Sequence, residues 1–263
     1  LALWLLAVCS GGSGACAFPV FELDEHSTTP QHLSYVNAPP QRSEAAGLPV
    51  PKLREARASV VAPIVPVNEA QPAPHPAACR QALRSAGVHF ETLSAAAAPG
   101  VMMPIRLLGP IHGVDFEQLE HDATFAILDC RLGLALVAWS HDLRRARVRR
   151  VDYYSMYRPG ARVGGNGPIS GHAHALAIDA ARFTLDNGVT LAVLDDWEGR
   201  KRGQAPCPVR RDETAGSRLL RAVTCAGIDS QLFQIVLTPH YNKAHDNHVH
   251  LERKPEVDWT YVR

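Results

Sequence analysis

Proline is spread unevenly along the 263 residues, and that distribution decides where a packed domain can form. Eleven of the twenty prolines lie between Phe18 and Ala78, in runs such as Pro39-Pro40, Pro49-Val50-Pro51 and Pro72-Ala73-Pro74-His75-Pro76. Each lacks a backbone N–H and locks φ, so this density removes sheet donors and interrupts helices. Few aromatic residues accompany them, which leaves little apolar surface to bury. Residues 18–78 therefore read as an extended tether with no chemistry of its own. The core is expected in residues 79–263, a length that suits one ordinary domain.

The stretch Leu1-Ala2-Leu3-Trp4-Leu5-Leu6-Ala7-Val8 resembles the apolar core of a signal peptide, and Ala15-Cys16-Ala17 has the A-x-A form of its cleavage site. Residues 1–17 are thus expected to direct export to the periplasm or cell envelope of a bacterium. Leu6-Ala7-Val8-Cys9 is also similar to a lipobox, which would attach the chain to a membrane through a lipidated Cys9. Val8 is large for such a site, and this favours cleavage after Ala17. No apolar run reaches the ~18 residues of a spanning helix.

Cleavage would leave Cys79, Cys130, Cys207 and Cys225, an even count that allows three pairings in an exported chain. Cys79–Cys130 with Cys207–Cys225 is the expected set, and four free buried thiols are the alternative. The net charge of +1 provides no footprint for nucleic acid. The single basic run, Arg144 to Arg150, reads as a solvated helix end that leads into a strand.

From Cys79 onward the pattern alternates between helix and strand. Cys79 to Ala86 predicts a helix stopped by Gly87. Leu128 to Leu143 predicts another, capped by Asp129, with Leu132, Ala135, Leu136, Trp139 and Leu143 on one face. A third runs over Ser217–Cys225 and ends at Gly227. Strands are expected at Val101–Leu108, Val148–Ser155, Leu176–Phe183, Thr190–Leu194, Gln231–Leu237 and His248–Leu251. Asp186-Asn187-Gly188 should turn a hairpin between two of them. The expected class is α+β, with a mainly antiparallel sheet flanked by helices.

Six of the thirteen histidines fall between His172 and His250. On a strand, residues i and i+2 share a face, so His248 and His250 present two imidazoles to one side. His172 and Asp179 are separated by an odd offset that no straight strand can bring to one face. His172 is therefore assigned to a bend entering the strand that carries Asp179. Two histidines and one aspartate from separate segments leave a fourth position open, as catalytic rather than structural zinc does. Taken singly, a His-x-His is more often a surface pair and an Asp a turn residue; the two clusters together argue against coincidence.

These residues resemble the extensin-like C-terminal domain family of bacterial exported proteins. The resemblance rests on Ser170/His172/Ala177/Asp179, on Asp196-Trp197, and on Tyr241-Asn242-Lys243-Ala244-His245-Asp246-Asn247-His248-Val249-His250. That family in turn resembles the superfamily of D-Ala-D-Ala metallopeptidases, murein endopeptidases and hedgehog domains. Tyr154-Ser155-Met156-Tyr157-Arg158-Pro159 is similar to the segment preceding the first motif in the carboxypeptidases. The resemblance implies a hedgehog- or D-Ala-D-Ala-peptidase-like fold holding one Zn2+ on His172, Asp179 and His250. It makes His248 the acid/base residue and Arg158 the substrate-orienting cation.

His245, Asp246, Ser170, Tyr157 and Trp197 are the expected second shell or substrate-lining residues, although Trp197 reads equally well as a core tryptophan. Ala175 stands where the peptidases usually carry Gly, although the extensin-like family resembles this chain there. Met156 and Ser230 stand at or near two cysteine positions of the family, which reads as one missing disulfide. The expected activity is hydrolysis of peptidoglycan cross-links or stem peptides, and the alternative is a zinc-containing module that binds the cell wall or a protein partner.

Overall fold

The computed structural model describes residues 75–199, 204–208 and 212–263. The export segment, Cys9 and nearly all of the expected tether lie outside these residues. The first helix, α1 (Pro76–Ser85), begins within the stretch assigned to the tether, at Pro76 rather than Cys79. A proline in the first helical turn costs nothing, because its missing N–H would have had no partner there. The helix ends before Gly87, whose φ of +73° suits glycine.

Three short strands, β1 (Phe90–Thr92), β2 (Pro104–Leu107) and β4 (Leu128–Asp129), form a small antiparallel sheet, with β3 (Asp115–Gln118) lying between β2 and β4 in the chain. Helix α2 (Cys130–Arg145) follows directly. The Asp129 carboxylate caps it by accepting from Arg131 N, and it also accepts from Met103 N and pairs with the Arg131 guanidinium. Leu132, Ala135, Leu136, Trp139 and Leu143 are buried, as the helical spacing predicts. Trp139 meets Phe183 and Phe233 edge-on at 6.2 and 5.8 Å and donates its indole N–H to Val223 O. Gly133 lets Leu83 approach α2 closely, and the Cys79–Cys130 disulfide joins the two helices nearby.

The remaining elements are β5 (Val148–Tyr153), β6 (Ala177–Leu185), β7 (Thr190–Ala192), α3 (Val193–Asp196), α4 (Ala215–Asp229), β8 (Ile235–Leu237), β9 (Val249–Glu252) and β10 (Tyr261–Val262). The larger sheet has the order β10-β8-β9-β6-β5-β3, with β7 also paired to β6. All its pairs are antiparallel except β3 with β5 and β8 with β10. The fold is α+β with a mixed, largely antiparallel sheet. Cys207 pairs with Cys225 of α4, so both disulfides match the expected pairing. No described helix is long and apolar enough to cross a membrane.

Several boundaries differ from expectation, among them the strand expected over Val101–Leu108, which is confined to β2, and three have a clear physical reason. The strand expected over Thr190–Leu194 stops at Ala192, because the Asp196 carboxylate accepts from Ala192 N and closes one helical turn. Gly227 does not end α4; it lies inside the helix, and a Cβ there would sit 3.1 Å from the Phe233 ring. The strand expected over Gln231–Leu237 is reduced to β8 because Gln231, at φ +53°, belongs to the turn after the helix.

Strand β6 positions the site. Asp152 opposes Arg182 but Tyr153 opposes Ala180, so Ala181 is an extra residue that changes the alternation of β6. Ile178 and Ala180 before it and Phe183 after it all join the core with α2 and α4. Val249 and Leu251 of β9 join the same core. Asp179 and His250 are direct partners across β6 and β9, and alternation turns both to the opposite face.

Candidate metal centre

His172 sits in a 3-10 turn, Gly171–His174, immediately before β6, which is the bend required by its spacing from Asp179. Ser170 caps the turn, its Oγ accepting from His172 N at 3.3 Å. The turn closes with Ala175 at φ +53°, where Ala175 N donates to His172 O and Leu176 N to Gly171 O. That pair of bonds is a Schellman closure, and it reverses the chain into β6. Register across β6 and β9 then brings His250 against Asp179 without further adjustment.

Three buried atoms converge. His172 Nε2 lies 3.0 Å from Asp179 Oδ1 and 3.2 Å from His250 Nδ1, and His250 Nδ1 lies 3.0 Å from Asp179 Oδ1. A tetrahedral zinc with bonds of about 2.0–2.1 Å needs its ligand atoms about 3.3–3.4 Å apart, so the group needs to open only slightly to hold one. The outward nitrogens are occupied. His172 Nδ1–H donates to Met156 O at 3.2 Å, and His250 Nε2–H donates to Glu252 at 3.2 Å. Those bonds leave His172 Nε2 and His250 Nδ1 as the inward nitrogens, each with the outer hydrogen bond typical of a metal-bound imidazole. Among the described residues this buried trio is the group able to hold a metal ion.

The electrostatics follow from burial and proximity. Burial pushes the His172 pKa down and keeps that ring neutral. Burial pushes the Asp179 carboxyl up, but His172 and His250 outweigh it and hold the group well below the usual carboxylate range. His250 is lowered by burial, yet Asp179 and Glu252 outweigh it and push its pKa up to about 9. The metal-free centre therefore keeps a proton on His250 between two carboxylates, and an ion binding there would displace it.

The rim carries the remaining polar groups. His248 Nδ1–H donates to Asn247 Oδ1 at 2.8 Å, which turns Nε2 toward the centre, 3.4 Å from Asp179 Oδ1. Asn247 Nδ2 donates to Tyr154 Oη, and the Tyr154 ring meets His248 edge-on. Arg158 is half exposed, with Nη2 3.5 Å from Asp179 Oδ2, and its backbone N–H donates to His172 O. His245 lies against His248 and His250 with ring centroids 5.1 and 6.0 Å apart. Its Nδ1 bonds Asn242 Oδ1, and burial lowers its pKa to about 4.

The residues expected around these groups divide. Ser170 and His245 lie beside the centre. Asp246 instead ends the short turn Lys243–His245 in an exposed position, and the ring nitrogens it was expected to orient are held by Met156, Glu252, Asn247 and Asn242. Tyr157 is fully buried with its hydroxyl donating to Pro99 O, so it anchors the backbone next to Arg158. Trp197 packs into the main core and donates its indole N–H to His240. His174 is exposed and donates to Gly100 O.

Glu252 lies outside every motif read in the sequence, and Asn247 and Tyr154 stood there only as motif members without a role. A signal existed for Glu252, which follows His250 at the i+2 spacing of one strand face.

The family described as the extensin-like protein C-terminus matches residues 77–263. The chain belongs to this family. The match begins at the second residue of α1, runs through β10 and includes all of the residues of the centre. No curated protein and no solved structure matches the chain.

Proposed function

We propose that this extensin-like domain is an exported, zinc-dependent peptidase that hydrolyses cross-links or stem peptides of peptidoglycan, with a fold akin to the D-Ala-D-Ala and murein endopeptidases. The observation that supports it most is the convergence of His172 Nε2, Asp179 Oδ1 and His250 Nδ1 beneath a rim formed by His248 and Arg158. These three atoms are the ligands in this reading. Zinc held there would lower the pKa of a bound water toward ~7 and polarise the scissile carbonyl.

The chain's own groups supply the rest. His248 Nε2, freed as an acceptor by the bond from Nδ1–H to Asn247, is placed to accept a proton from the attacking water and would return it to the leaving amine. Arg158, half exposed and tied by its backbone to His172, orients the carbonyl or a nearby carboxylate with its planar fork. Cell-wall peptides as substrate, and a place in the envelope reached by export or through a lipidated Cys9, follow from the family resemblance and the amino-terminal pattern.

The test is digestion of purified sacculi and cross-linked muropeptides by protein carrying one zinc per chain. Cleavage products should appear, and His248→Ala should abolish them while metal content stays near that of the parent. If fully loaded protein cleaves nothing, the domain is instead a zinc-containing module that binds the cell wall or a protein partner.

A further inference from the structure

Glu252 is buried at 6% exposure, on the same strand face as His250, yet it belongs to none of the motifs that suggested the site. Its Oε2 accepts from His250 Nε2–H at 3.2 Å and from Gly171 N at 3.3 Å. One carboxylate oxygen therefore touches both segments that carry histidines, strand β9 and the turn holding His172. The fit is close: a Cβ at Gly171 would lie 2.4 Å from Glu252 Cδ, so only glycine admits the carboxylate. Its second oxygen is 3.5 Å from Lys254 Nζ, which is partly solvated.

Charge points the same way. With both imidazoles neutral, His172, Asp179 and His250 offer a divalent ion a single negative charge in a buried setting. Glu252 supplies the second, and a buried charge left without its complement is costly. A carboxylate on the outer nitrogen also makes the imidazole a stronger donor and fixes its ring orientation.

We infer that Glu252 is the positioning residue of the metal centre: it locks His250 with Nδ1 inward, ties the His172 turn to β9, and completes the charge that a divalent ion requires. This rests on the metal-centre reading above. Removing the carboxylate should weaken metal binding by about 10–100-fold.

The experiment measures Zn2+ affinity by chelator competition, together with the visible spectrum of the Co2+-loaded form, for the parent chain, Glu252→Gln and Glu252→Ala. Gln keeps an acceptor but loses the charge, so affinity should fall in the order parent, Gln, Ala, with the Co2+ bands altered most in Ala. Gly171→Ala, which displaces the carboxylate without removing it, should also weaken binding. Metal-free melting of each variant confirms that a folded protein is being titrated. Variant affinities within twofold of a parent that binds one ion per chain would overturn the role of Glu252 alone. A parent that binds no Zn2+ or Co2+ would overturn the metal centre, and this inference with it.

Discussion

If His172, Asp179 and His250 bind an ion in the folded chain only, zinc must stabilise the fold by an amount fixed by its concentration. At free zinc about 100 times Kd the gain is about 2.7 kcal/mol. In a domain of this size, about 1 kcal/mol moves Tm by about 2–4 °C, so the zinc-loaded and chelated proteins should melt about 5–11 °C apart. His250→Ala removes a ligand atom that lies 3.0 Å from Asp179 Oδ1, and the zinc-dependent difference should disappear. The metal-free variant should also melt lower, because Asp179 stays buried without that partner. The readout is therefore the difference between loaded and chelated scans, never the absolute Tm.

His248→Ala provides the contrast. Its Nε2 is 3.4 Å from the same oxygen, but it lies at the rim and is not one of the converging three, so the full zinc shift should remain. The scans are run without reductant, since both disulfides belong to the fold. Equal melting of parent protein with and without zinc would refute the ligand assignment. A shift retained in His250→Ala would refute it equally.

Two further outcomes are expected. Opening Cys79–Cys130, with a sequence separation of 51, should cost about 4 kcal/mol on chain entropy, and opening Cys207–Cys225, with a separation of 18, about 3 kcal/mol; urea unfolding of the paired Ser variants measures both, and a larger loss from the shorter loop would contradict the estimate. Asn247→Ala should lower kcat about tenfold or more while Zn2+ affinity is unchanged, because it releases His248 Nδ1 and leaves the ligands untouched; a matching loss of metal affinity would place Asn247 in the structure of the centre rather than behind His248.

The features legible in the sequence were those written over a few consecutive residues. The apolar face of α2, its Asp129 cap, the Asp186-Asn187-Gly188 hairpin and the i+2 pairing of His248 with His250 each follow from local periodicity. The bend at His172 followed from parity alone. What escaped depends on how side chains pack in three dimensions, whether their partners are near or far in the chain. Gly227 looked like a helix stop because nothing local reveals that Phe233 needs the space beside it. Asp246 looked like an orienting carboxylate because it sits among histidines, yet the turn at Lys243–His245 leaves it exposed. The Met156 carbonyl, a distant partner, took up the outer nitrogen of His172, whereas Glu252 and Asn247 hold the imidazoles two and one residues away from them.

Ala175 links the turn at His172 to the core packed beside Arg158. Its φ of +53° is a conformation that favours glycine, because the Schellman closure that aims His172 at Asp179 needs a left-handed residue. Alanine in that conformation costs about 1–2 kcal/mol. Glycine would relieve this but lose about 0.5–1 kcal/mol more chain entropy on folding. The Ala175 methyl is also fully buried with Ala98, Val101, Ile127 and Tyr157, the residue that anchors the backbone beside Arg158. That burial offsets much of the remaining strain. Alanine therefore holds the turn at little net cost, and the same methyl joins the His172 bend to the segment that presents Arg158. Alanine at this position thus preserves the geometry on which the centre depends.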